Sequence, residues 1–207
     1  MRDAPKWLDV SRETLADLQS FRDLVLKWNP AINLISKKSI DDIWERHILD
    51  SAQVFEYFPE DPQLWCDLGS GGGFPGIVVA ILAKEIRPGM SVKLVESDRR
   101  KGTFLREAIR ALDLNATVEI TRIEDLTPQS ADVVSARALA SVADLLPHIF
   151  RHLSTTGNAI LLKGAGTSDE LAKARQDWSF DVSSHTSRTS LDGQILILKD
   201  ITYAQRS

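Results

Sequence analysis

The chain has 207 residues, which fits one ordinary domain with a helical extension and is cramped for two. It is 43% hydrophobic and 26% charged, a mixture that supports a sizeable core and excludes a disordered chain. A net charge of −4 excludes a polycationic nucleic-acid binder, so any RNA-binding patch has to be local.

The opening stretch MRDAPKWLDVSRE carries charges where a signal peptide needs an apolar core. The longest apolar run, residues 76–83, is far shorter than the roughly 20 residues of a membrane span, and the expectation is a cytoplasmic protein. Leu15, Leu18, Phe21, Leu24, Val25 and Trp28 recur at helical spacing, and Asn29-Pro30 is expected to end that helix. A second helix is expected over IDDIWERHILDSAQVFEYF, capped by Ser39 and closed before Pro59. Trp7, Trp28 and Trp44 read as packing residues. Residues 1–60 are thus expected to form a helical extension, serving as packing or as a lid, with the boundary at Pro59-Glu60-Asp61-Pro62 and the main domain at 61–207.

From Gln63 the rhythm becomes short β-branched runs alternating with helical patterns, the signature of a parallel sheet covered by helices. QLWCDLG, SVKLVES, TVEIT, ADVVSAR, NAILLKG, FDVSSHTS and QILILKDI are the strand candidates. Helices are expected near Pro75 to Glu85, Arg99 to Leu112, Glu124, Ser141 to Leu153 and in SDELAKARQDW. Only a short turn around Asp192-Gly193 separates the last two strands, which permits an antiparallel hairpin and excludes a crossover helix. The expected fold class is α/β, a seven-stranded, mostly parallel, doubly wound sheet ending in an antiparallel hairpin strand.

Five of the 11 glycines fall between Gly69 and Gly76, in GSGGGFPG directly after the first strand. That spacing lets backbone approach a ligand and turn sharply into a helix. Glycines alone also fit a bare structural turn or the pyrophosphate site of a dinucleotide. Asp67, just before them, would repel a pyrophosphate and accept a hydrogen bond from an ammonium group. Glu96 ends the second strand 23 residues after Gly73, near the spacing of an acid that binds ribose hydroxyls. An amino acid end plus a ribose suggests S-adenosylmethionine. Ile123 and Glu124, in TRIEDL after the third strand, fall within reach of an adenine or simply open a helix.

With these segments the chain resembles the bacterial guanine-N7 methyltransferases of small-subunit (16S) ribosomal RNA, the glucose-inhibited division protein B family, within the class I methyltransferases. The resemblance rests on KWNPAINLIS and WERHILDS, then DLGSGGGFPGIVVAI, TRIEDL, ADVVSARALAS and LLKG, in that order along nearly the whole chain. It implies a Rossmann-like fold and S-adenosylmethionine as methyl donor, leaving S-adenosylhomocysteine. It also implies that Gly69, Gly71 and Phe74 border the cofactor, that the backbone of Ile123 and Glu124 holds adenine, and that Arg137 lies at the methyl-transfer edge. This chain carries Glu96 where many relatives have aspartate and Phe74 where leucine is frequent. The implied partner is 16S rRNA within the 30S subunit or an assembly intermediate, met by a monomer without metal or membrane.

Guanine N7 has a free lone pair and no proton, so its methylation needs alignment and no general base. SARALAS lacks the Asn/Asp-Pro-Pro-aromatic segment of exocyclic-amine methyltransferases, and Cys66 is misplaced to attack a pyrimidine. Arg137, at the carboxyl end of the fourth strand, can hold a phosphate or a guanine edge. Asn33, Arg46, His47 and Asp50 either close over the target base or cap structural helices, and Lys163 is a candidate phosphate contact. The run Arg99, Arg100, Lys101 is either an RNA patch or a solvated helix face. A small-molecule methyltransferase, an NAD-dependent oxidoreductase and a non-enzymatic cofactor sensor are the rival readings.

Overall fold

The seven β-rich runs form one sheet in the computed structural model, which describes residues 5–57 and 60–204. The strands are β1 (Leu64–Leu68), β2 (Ser91–Val95), β3 (Ala116–Glu119), β4 (Ala131–Arg137), β5 (Leu153–Lys163), β6 (Trp178–Thr186) and β7 (Gln194–Tyr203). Their order across the sheet is β3-β2-β1-β4-β5-β7-β6. β1 pairs in parallel with both β2 and β4, whereas β7 is antiparallel to β5 and β6. The chain winds outward in opposite directions from β1 and β4. A crevice therefore opens beyond their carboxyl ends, the place where such sheets bind ligands.

The helices that follow the strands are α3 (Gly76–Ile86), α4 (Arg99–Leu112), α5 (Val142–His152) and α6 (Thr167–Ala174), with a single 3-10 turn at Ile123–Asp125. Asp98 caps α4 by accepting from the N–H groups of Arg100 and Lys101, and Ser141 caps α5 through Asp144 N–H. β5 begins at Leu153, earlier than its apolar run, because Leu153 already pairs with Ala131 of β4.

The N-terminal part departs from its sequence reading at two points. Helix α1 (Arg12–Ile32) runs through Pro30 and ends at Asn33, which adopts a left-handed conformation (φ 50°). Asn29 makes this possible: its carbonyl accepts from Asn33 N–H and its side chain from Ile35 N–H. The expected single second helix is a series of short pieces: a 3-10 turn at Lys37–Ser39, a π-helical turn at Trp44–Leu49, α2 (Asp50–Ala52) and a 3-10 turn at Gln53–Tyr57. Ser39 caps none of them, because its hydroxyl bonds back to the Ser36 carbonyl. Pro59 of the expected boundary lies outside the described residues.

One apolar cluster joins α1, the 43–54 segment, α3 and α4 to one face of the sheet, and a second gathers α5, Ala174 and Trp178 on the other. Trp44 is fully buried, and Trp28 packs edge-on against Phe104, as its packing role requires. Phe21 sits at the joint between α1 and the sheet layer, 5.3 Å from the Phe74 ring and 6.4 Å from that of Phe104. Phe21→Ala should therefore lower unfolding free energy by about 3–5 kcal/mol, read as a shifted urea midpoint with an unchanged slope.

Candidate active site

The site is built on the turn that leaves β1. Gly69, Gly71 and Gly73 have φ of 67°, 55° and 88°, values that side-chain-bearing residues rarely adopt. Gly76 is required for a different reason. A Cβ there would lie 2.2 Å from Leu94 Cδ2 and 2.7 Å from the Asp67 carboxylate, so only glycine lets α3 start this close to β1 and β2.

Asp67 does not face the cavity above the turn. It is completely buried beneath the turn, its Oδ1 accepting from Ser135 Oγ at 2.6 Å and its Oδ2 from Gly76 N–H at 3.2 Å. The Ser135 hydroxyl in turn accepts from the indole N–H of Trp65. The ammonium partner read from sequence is thus an internal strut joining β1, β4 and α3. Burial pushes its pKa up to about 6, against the opposing hydrogen bonds from Ser135 and Gly76.

Above the turn lies a cavity of about 580 Å³ lined by Gly69, Gly71, Phe74, Glu96, Ile123 and Glu124, with His47 and Arg137 on the β4 side. All the expected cofactor residues except Asp67 meet there. Glu96 is nearly buried and holds the turn itself, accepting from Gly71 N–H at 2.8 Å and Asp98 N–H at 2.8 Å. A carboxylate on the Gly71 amide occupies the donor that a pyrophosphate would use, and it repels that anion. The electrostatic argument against a dinucleotide therefore belongs to Glu96 and not to Asp67.

Arg137 is 19% exposed and committed on three sides: Nε to Asp50 at 3.1 Å, Nη1 to His47 Nδ1 at 2.8 Å and Nη2 to the Arg46 carbonyl at 2.5 Å. The wide π-helical turn presents that carbonyl and His47 together. A guanidinium only donates, so His47 Nδ1 accepts and the neutral ring carries its proton on Nε2. That nitrogen is buried without a hydrogen-bond partner among the described residues, and the Phe74 ring centre lies 5.0 Å from that of His47. Burial, with the charges of Arg137 and Arg46, holds the His47 pKa down at about 3, so the ring is neutral at physiological pH.

Two further expected residues sit elsewhere. Asn33 is exposed at the end of α1, and the neighbours Leu34, Ile35 and Ser36 line the cavity in its place. Lys163 is buried and engaged: its ammonium pairs with Glu170 at 2.7 Å and donates to the Ala140 carbonyl. Cys66 is buried in β1, with its pKa raised by burial to about 12, and cannot act as a nucleophile. Sequence reading missed Ser135 and Leu139. Leu139, 41% exposed, lies over Gly69, where a Cβ would meet its Cδ1 at 2.7 Å. Among the described residues no group of His, Cys, Asp and Glu is arranged to hold a metal, and no helix is long and apolar enough to cross a membrane.

A family model described as rRNA small subunit methyltransferase G matches residues 14–198. The Ribosomal RNA small subunit methyltransferase G of Cereibacter sphaeroides is 51% identical over 196 residues, covering 95% of each chain. Among solved structures, a SAM dependent methyltransferase from Aquifex aeolicus aligns with a TM-score of 0.59 at 12% identity, over 86% of this chain and 96% of that one. M. jannaschii TYW2 in complex with AdoMet aligns with a TM-score of 0.56 at 13% identity, over 82% of this chain and 78% of that one. These two likenesses establish the fold.

The strut under the turn sets a pH dependence. With its folded pKa raised to about 6 from an ordinary 3.8, Asp67 binds more proton folded than unfolded in that window, so its contribution to stability falls as pH rises through it. Asp67→Asn keeps the size and removes the charge, leaving one oxygen to accept from Gly76 N–H and turning an amide donor toward Ser135 Oγ. Melting curves from pH 4 to 7 should show the wild type losing stability relative to this variant, by about 3 kcal/mol at most. Parallel curves would place the Asp67 titration outside this range.

Proposed function

The chain belongs to the rRNA small subunit methyltransferase G family, and we propose that it transfers a methyl group from S-adenosylmethionine to N7 of a guanine in 16S rRNA. The observation that carries this reading is the state of the β4 edge: His47 is neutral and committed to Arg137, and Arg137 is committed to Asp50. Such an edge orients and donates but offers no free base, which suits an acceptor nitrogen that has no proton to lose.

The residues present fit the cofactor. The cavity volume is within the usual range of about 300–1,000 Å³ for small-ligand sites. Glu96 would take the ribose hydroxyls, the backbone at Ile123 and Glu124 the adenine, and the Gly69–Gly72 backbone the methionine end, with Phe74 as a wall. When bound, S-adenosylmethionine supplies an electrophilic methyl group on a sulfonium. The chain's own part is alignment, which can lower the barrier by up to about 7–11 kcal/mol. Arg137 brings a positive surface to the side where the acceptor enters.

Residues 1–60 are read as a helical extension that walls the cavity through Leu34, Ile35 and His47, and 61–207 as the cofactor-binding domain. The overall negative charge favours an acceptor presented by the 30S subunit or an assembly intermediate over free RNA, met by a cytoplasmic monomer.

Labelled methyl should pass from S-adenosylmethionine to 30S subunits of a strain lacking the enzyme, and cleavage mapping should find it as 7-methylguanine. Label on another atom would sink the assignment. In calorimetry Glu96→Ala should weaken cofactor binding by about tenfold or more. Arg137→Ala should lower the transfer rate more than cofactor affinity, and equal losses would move Arg137 out of the transfer step.

A further inference from the structure

A second cavity, of about 610 Å³, lies on the other side of the Arg137–Ala138–Leu139 segment, which lines both. The ends of β4 and β5, α6 and the β6–β7 turn enclose it, and Arg46, Asp50, Arg137, Leu139, Lys163 and Glu170 face it. Its charges cancel in pairs, Asp50 with Arg137 and Lys163 with Glu170. Arg46 is left over, exposed, its guanidinium without a hydrogen bond or ion pair among the described residues. A neutral interior with one unpaired cation matches a heterocycle carrying one phosphate.

Of the two carboxylates, Asp50 is saturated. Its Oδ1 accepts from Gln53, Ser187 and Thr189, and its Oδ2 takes Arg137. Glu170 is half used: Oε2 accepts from Val142 N–H at 2.9 Å and pairs with Lys163, while Oε1 has no partner among the described residues. A spare carboxylate oxygen seeks N–H donors. Guanine presents such donors, N1–H and the N2 amine, on the edge away from N7.

The geometry points to the second cavity as the pocket for the acceptor guanine, with Glu170 Oε1 accepting from its Watson–Crick edge and Arg46 meeting its phosphate. Held from that side, the purine turns N7 toward the Arg137–Leu139 segment, which lines both cavities. Glu170 is then a specificity-determining residue, because a base lacking those donors leaves its oxygen unpaired. The assignment rests on the reading of the chain as a guanine-N7 methyltransferase of rRNA.

Glu170→Gln tests it, since the amide keeps an oxygen for Val142 and Lys163 and turns a donor toward the cavity. With 30S subunits from a strain lacking the enzyme, this variant should raise KM for subunits by about tenfold or more. Its S-adenosylmethionine affinity should match the wild type, while its melting temperature should fall, because the Lys163 ammonium loses its ion-pair partner. Subunits reconstituted with inosine, which lacks the N2 amine, at the mapped target should be poorer substrates than guanine for the wild type and equivalent to guanine for Glu170→Gln. Arg46→Ala should keep the wild-type preference for guanine and show a shallower salt dependence of KM. Wild-type kinetics and guanine preference in Glu170→Gln, or a matching loss of cofactor affinity, would overturn the pocket while leaving the N7 reading intact. Wild-type label away from guanine N7 would overturn both.

Discussion

The site depends on one buried carboxylate that does not line its cavity. Asp67 ties β1 to β4 through Ser135 and pins the first amide of α3 through Gly76. Those bonds brace the crevice where the strand order reverses, and with it the left-handed Gly69 and Gly71 that line the cavity above the turn. A buried carboxylate is costly, and burial raises the Asp67 pKa in the direction of that cost. The structure accepts it because a neutral residue would not bind two donors from different strands and helices as firmly.

A similar economy governs the charges at the edge of the site. Arg137 spans from β4 to the N-terminal segment, where Asp50 also secures the β6–β7 turn through Ser187 and Thr189. Three parts of the chain distant in sequence are therefore held by one pair of ions and its hydrogen bonds. Satisfied this way, the guanidinium and the imidazole lock each other's orientation, so the edge is rigid before any substrate arrives. The unpaired guanidinium of Arg46 stands outside that network, at the rim.

What could be read from sequence followed from local rules. Strand positions followed from β-branched runs and the hairpin from the shortness of its turn. The cavity above the turn was legible because the glycine turn, Glu96 and Ile123 each follow a strand that ends at the same sheet edge. Long-range partners were not legible. Asp67 looks like a ligand group until Ser135, far along the chain, takes its oxygen, and Lys163 looks like a phosphate contact until Glu170 takes its ammonium. Pro30 was read as a stop because its missing N–H breaks the local rule, whereas Asn29 supplies the compensating bonds.

The π-helical turn at Trp44–Leu49 has a bearing on how this chain can change in length. Such a turn holds one residue more than an α turn, so it behaves as an insertion stored within a helix. Removing one residue beside Arg46 and His47 would let the segment relax to α geometry and close the wide turn that presents the His47 ring and the Arg46 carbonyl on one side. His47 and the Arg46 carbonyl would then leave the Arg137 guanidinium together, although neither had been altered. Substitutions in this stretch act one side chain at a time, but a single-codon deletion acts on the whole edge at once. The segment is therefore a length gauge for the site, more sensitive to indels than to point changes.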